Sequence, residues 1–100
     1  MQFVTSIFVQ VRSGQQDELI QKLEEFRQRG QHTFPGTVAR YVVESETNPG
    51  QIQISLTWRG TIMPSEVQQE QAIGEFRRTL ADVLDWDTAQ YNKGKVLMHT

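Results

Sequence analysis

The chain has 100 residues, 37% of them hydrophobic, with ten basic against twelve acidic side chains and a net charge of −2. This suffices for one domain spanning 1–100, with no room for a second core, and no basic stripe is present to grip a nucleic-acid backbone. Cysteine is absent, which excludes disulfides and thiolate chemistry, and nothing approaches the ~18 apolar residues of a membrane span.

Gln2 to Arg12 carries Phe3, Ile7, Val9 and Val11 on one parity and Val4 and Phe8 on the other, the pattern of a strand apolar on both faces. Ser13-Gly14 breaks it. A helix is predicted from about Gln15 to Arg29, with Leu19, Ile20, Leu23 and Phe26 as its apolar positions and Asp17 and Glu18 in the first turn, where the helix dipole favours them. Gly30 stops it, and Phe34-Pro35-Gly36 signals a turn. Thr37 to Ser45 is rich in β-branched and aromatic residues and forms the second predicted strand. Asn48-Pro49-Gly50 then makes a hairpin to a third strand, Gln51 to Arg59, in which Ile52, Ile54, Leu56 and Trp58 share one face. Pro64-Ser65 with Gln68 offers a capping box for a second helix running to about Leu84, its stripe formed by Ile73, Phe76, Leu80, Val83 and Leu84. Asp85 to Asn92 is expected as a loop and Lys95 to His99 as a short last strand.

Strand, helix, hairpin, helix, strand is the split βαβ pattern of the α+β, ferredoxin-like βαββαβ fold. Its two helices lie on one face of a four-stranded antiparallel sheet. They can cover only that face, yet the first two strands are apolar on both. A second copy of the same sheet is the simplest cover, so a homodimer is expected. A chain this small buries only roughly 60–65% of its unfolded surface, so such a partner would add to its stability.

The order of elements, Phe34-Pro35-Gly36 before the second strand and Leu56-Thr57-Trp58-Arg59 closing the third resemble the antibiotic-biosynthesis-monooxygenase domains, over Phe3 to about His99. The resemblance implies a dimeric α+β barrel with a cavity for a small, usually aromatic, ligand between sheet and helices. It implies oxidation of phenols or quinols by molecular oxygen in some members, with no metal or flavin, and haem degradation in others. Trp58 occupies the place of a tryptophan that recurs in catalytic members. Glu75-Phe76-Arg77 resembles the setting of an arginine used by phenol oxidisers, and this makes Trp58 and Arg77 the catalytic candidates. The pattern also has departures. An asparagine four residues before the tryptophan is replaced by Ile54, and a tyrosine after it falls near Pro64. The second helix has no histidine and the first strand no asparagine, both of which haem degraders need.

The residues can be weighed without the family. At about 100° per residue, Arg77 borders the second helix's apolar arc, where it would either stabilise a phenolate or lay its stem on the core and snorkel to water. Trp58 would either offer its N–H and ring to an aromatic ligand or pack as core. Arg27 falls within the first helix's apolar arc and joins Phe76, Ile54, Trp58 and Arg77 as a candidate ligand contact. His32 and His99 are distant from each other and the carboxylates are scattered, so no metal-ligand spacing exists. No cofactor is called for.

Two functions stay open: a cofactor-independent monooxygenase acting on a small phenol or quinol, and a non-catalytic barrel that binds or senses a small apolar ligand. RNA-binding βαββαβ modules need aromatics flanked by basic residues on the central strands, where this chain has glutamine, serine and threonine. Acyl-phosphate hydrolysis needs an anion-cradling loop, and Ser13-Gly14-Gln15 is too slight to form one. Met1-Gln2-Phe3-Val4 lacks the charged lead of a signal peptide, so the cytoplasm is the expected location.

Overall fold

The protein is described by a computed structural model, which covers residues 1–29 and 37–98. The elements are β1 (Gln2–Val11), α1 (Gln16–Arg29), β2 (Thr37–Glu44), β3 (Gln51–Arg59), α2 (Glu66–Thr79) and β4 (Leu84–Lys95). The four strands form one antiparallel sheet in the order β2-β3-β1-β4, the expected ferredoxin-like arrangement. No helix among the described residues is long and apolar enough to cross a membrane.

The period-2 pattern sets which side of the sheet is dry. Phe3, Ile7 and Val9 of β1 and Ile52, Ile54, Leu56 and Trp58 of β3 are buried. The register places Phe3 opposite Trp58, Ile7 opposite Ile54 and Val9 opposite Ile52, so the two central strands present an apolar row interrupted by Thr5, which lies opposite Leu56. Leu19 and Phe26 of α1, Ala72, Ile73 and Phe76 of α2, and Leu80, Val83 and Leu84 after it complete the core. Fully burying one such large side chain contributes roughly 1.5–3 kcal/mol.

The capping box at α2 is present: the Ser65 hydroxyl accepts from the Gln68 backbone N–H, and the Gln68 side chain accepts from the Ser65 N–H. At the hairpin Gln51 N–H donates to the Asn48 carbonyl at 3.0 Å. Gly50 there has φ of +83°, a conformation glycine adopts without the steric cost a Cβ would bring.

Two expected boundaries are corrected. The second helix ends at Thr79 and not near Leu84: Leu80 caps it with φ −108° and ψ 18°, and Leu84 N–H reaches back to the Leu80 carbonyl. The spacing of Leu80, Val83 and Leu84 that mimics a helical stripe is satisfied by a turn, in which all three are buried. The last strand is Leu84–Lys95, so the whole of the expected loop Asp85–Asn92 is strand and the expected strand Lys95–His99 is mostly beyond it. Its pairing with β1 shifts register between Phe8, opposite Gln90, and Gln10, opposite Asp85. Here Gln10 N–H donates to the Thr88 hydroxyl, which in turn donates to the Asp85 carbonyl. The turn expected at Phe34-Pro35-Gly36 and both histidines lie outside the described residues.

On the side of the sheet away from the helices, Val4 and Phe8 are partly covered, while Tyr41 and Val43 are exposed. Gln53, Ser55 and Thr57 lie between these two pairs on β3.

Candidate functional site

Two clefts of about 370 Å³ each lie where the helices meet the sheet. The first lies where α1 overhangs β2 and is lined by Ile20, Leu23, Glu24, Phe26, Arg27, Arg40, Val42 and Phe76. One ring from each helix meets here: Phe26 and Phe76 stack with centroids 4.8 Å apart and planes 19° from parallel. Above them sits Arg40 of β2. Its Cζ is 5.4 Å from the Phe26 centroid and 5.7 Å from that of Phe76, within the range of cation–π attraction. Arg40 shares the helix-facing parity of β2 with Val42, since the two lie opposite the buried Leu56 and Ile54. Its Nη1 is buried and has no hydrogen-bond partner among the described residues. At the rim, Arg27 and Glu24 form an exposed ion pair at 2.6 Å. Arg27 lowers the Glu24 pKa through that hydrogen bond, which makes the carboxylate a weaker base.

The second cleft lies between α2 and β4, lined by Glu66, Gln69, Glu70, Ile73, Arg77, Tyr91 and Lys93. Its charges are paired. Arg77 donates to Glu70 at 2.8 Å and to the Tyr91 hydroxyl at 2.7 Å, and Lys93 pairs with Glu66. The register shift in β4 sets Trp86 under Arg77, whose Cζ is 5.5 Å from the ring, while the indole N–H donates to the Leu80 carbonyl. Glu70 and then Tyr91 raise the Arg77 pKa further.

From the second cleft a buried polar chain runs into the core. The Trp58 indole N–H donates to Thr5 Oγ1 at 3.1 Å, and the Thr5 hydroxyl donates to Gln69 Oε1 at 2.9 Å. The Gln69 amide donates to the Pro64 carbonyl at 2.7 Å. All three side chains are almost wholly enclosed.

The residues singled out in the sequence are thus divided. Phe76 and Arg27 meet at the first cleft. Trp58 and Ile54 are in the core, 1% and 0% exposed, and the Trp58 N–H is already engaged by Thr5. Arg77 faces the second cleft, which Gln69, at the end of the Trp58–Thr5 chain, also lines. Arg40 was not among the expected residues: a charge on the core-facing side of a strand is rare unless paired or functional, but the core-facing side of β2 is fixed only by its pairing with β3. Among the described residues no group of three histidine or carboxylate side chains could hold a metal ion.

The sequence profile of the antibiotic biosynthesis monooxygenase family matches residues 2–60. No curated protein sequence matches the chain. Among solved structures, a Bordetella bronchiseptica protein assigned to antibiotic biosynthesis monooxygenases superposes with TM-score 0.72 at 11% identity, over 97% of this chain and 98% of that one. A Nitrosomonas europaea protein with the same assignment gives 0.69 at 12%, over 96% and 90%. A variant of MhuD with two manganese protoporphyrin IX molecules bound per active site gives 0.68 at 16%, over 98% and 97%. At these identities the likeness is one of fold.

Proposed function

Because the chain belongs to the antibiotic biosynthesis monooxygenase family, we propose that it is a cofactor-independent monooxygenase whose small aromatic substrate, a phenol or quinol, lies in the cleft between α1, α2 and β2. The stacked Phe26–Phe76 pair carries this reading. Phe26 and Phe76, 9% and 2% exposed, stack at the wall of a partly open cleft of about 370 Å³, where a planar ligand would meet their edges, with offset or edge contacts contributing about 0.5–1.5 kcal/mol per pair beyond simple burial. Ile20, Leu23 and Val42 supply the rest of the apolar lining.

The chemistry then rests on the substrate. An electron-rich phenolate passes one electron to oxygen, and the aryloxyl radical and superoxide combine at a ring carbon. Loss of water from the resulting hydroperoxide leaves a quinone: one oxygen atom enters the product, the other leaves as water, and no external reductant is consumed. The protein's part is to hold the ring, exclude bulk water and stabilise the anion. Oxygen uptake with a panel of naphthols and hydroquinones, after exhaustive treatment with chelator, tests this. The expected result is one oxygen consumed per substrate and one labelled atom in the product when labelled oxygen is supplied. Tight binding of the panel without uptake would replace the oxygenase with the non-catalytic binder. The Glu24–Arg27 pair favours that second reading, because the one carboxylate at the cleft is a weakened base.

Haem is not expected as a specific ligand. The α2 sequence, Glu66–Thr79, has no histidine to serve as an axial ligand. Titration of the protein with haem should therefore show weak, non-saturating change at the Soret band, and a stoichiometric axial-ligand spectrum would contradict the assignment.

A further inference from the structure

Building on that reading of the α1–α2–β2 cleft, we infer that Arg40 is its specificity-determining residue and that the ligand is an aromatic anion, its negative oxygen bound by the guanidinium and its ring held against Phe26 and Phe76. The observation is an imbalance. A guanidinium has five N–H donors and no way to lose its charge, and it is costly to bury without partners. Arg40 nonetheless places its Nη1 out of reach of water with no acceptor among the described residues.

The groups around it do not repair this. Phe26 and Phe76 attract the cation through their ring faces but accept no conventional hydrogen bond. Leu23 and Val42 are apolar. Glu24, the carboxylate of the cleft, is taken by Arg27 at 2.6 Å. The second cleft shows the contrast, since there Arg77 and Lys93 each have a glutamate. At Arg40 no counter-ion is found among the described residues.

An entering anion would supply it. Arg40 lines the cleft, so a small turn of the guanidinium on its stem brings the unpaired N–H to the cleft surface. Much of the desolvation of that cation has already been met in folding, so the incoming oxygen gains a charge-assisted bond at reduced cost. Two sources share this chemistry: a phenolate, and a carboxylate attached to an aromatic ring. Neutral aromatics of the same shape would gain the stacking and forgo the bond.

The test compares naphthoate with naphthamide, of nearly equal shape, by calorimetry at neutral pH. Para-nitrophenol, studied on either side of its own ionisation, provides the phenolate arm. Methyl spectra of Ile20, Leu23 and Val42 report where binding occurs. Naphthoate should bind at least about tenfold more tightly than naphthamide, and Arg40→Met should abolish that difference while leaving naphthamide binding within about twofold. Arg40→Lys, which keeps the charge, should restore part of it. If ionised para-nitrophenol shows the preference and naphthoate does not, the anion is a phenolate; the reverse identifies a carboxylate. Equal binding of charged and neutral probes at these methyls overturns the role of Arg40 and leaves the cleft as an aromatic site. Failure of every probe to move these methyls removes the proposed substrate cleft as well. The wild-type comparison decides the matter even if Arg40→Met does not fold.

Discussion

Thr5→Val is expected to lower the unfolding free energy by about 2–5 kcal/mol, although valine nearly matches threonine in shape. The Thr5 hydroxyl is a hub: it accepts from Trp58 and donates to Gln69 in a fully enclosed part of the core. Valine leaves the indole N–H without an acceptor and Gln69 Oε1 without a donor, and each orphaned buried group costs about 1–3 kcal/mol. Trp58→Phe should cost less, about 1–2 kcal/mol, because the bond from Thr5 to Gln69 persists and the loss is mainly volume. The double variant should be less destabilised than the two single effects added, since phenylalanine removes the very N–H that Thr5→Val strands. Urea denaturation of the four proteins measures all of this. A Thr5→Val variant within about 0.5 kcal/mol of wild type would show that the chain contributes nothing. If Trp58→Phe instead leaves stability intact and weakens aromatic binding, Trp58 is a ligand contact and not only part of the core.

Light scattering at micromolar concentration is expected to give a mass of about twice the 11.6 kDa chain, through the sheet face opposite the helices. Tyr41 and Val43 are 59% and 47% exposed in the single chain, and Val4 and Phe8 share that face. Val43→Glu should convert the protein largely to monomer. A charge introduced into an apolar contact costs about 2 kcal/mol or more, and a twofold-symmetric interface carries the substitution twice. The melting temperature of the wild type should rise with protein concentration, as it does whenever association stabilises the folded form, and that of the variant should not. A concentration-independent 11.6 kDa species for the wild type would end this proposal.

The sequence spoke most clearly where one face of an element was dry and the other wet. Ile52, Ile54, Leu56 and Trp58 alternate with polar residues, so β3 and its helix-facing side were legible. Ser65 and Gln68 announced the start of α2 for a chemical reason, the exchange of side chains for orphan N–H groups. β4 was hidden because it is an edge strand whose later residues, from Gln90 to Lys95, are exposed. Such a strand is held by its backbone pairing to β1, which composition does not record. The end of α2 was misread because Leu80, Val83 and Leu84 have helical spacing in a segment that turns.

The cleft was partly legible. Phe76 and Arg27 could be placed by helical periodicity, but their meeting with β2 is a tertiary fact. Arg40 stands between Ala39 and Tyr41 in a strand with apolar residues on both parities, so nothing local says which parity meets the helices. Only the pairing of Val42 with Ile54 and of Arg40 with Leu56 decides it. Trp58 and Arg77 looked like one site because each borders the apolar face of its own element. What parts them is that Trp58 is enclosed in the core with its N–H on Thr5, while Arg77 is held at the second cleft by Glu70 and Tyr91.

The position of β1 between β3 and β4 has a consequence for how the chain acquires its structure during synthesis. Phe3 pairs with Trp58 on one side and with Lys95 on the other, so the strand made first waits for the strand made last. Such long-range pairings slow folding, because the loop must close before any contact rewards it. Until β4 emerges, β1 has an open edge and its row of Phe3, Ile7 and Val9 is incompletely sheltered, a form prone to wrong pairing. A nascent chain stalled before Leu84 should therefore be protease-sensitive along its whole length, β1 included, and protection should arrive in one step once Lys95 has cleared the ribosome.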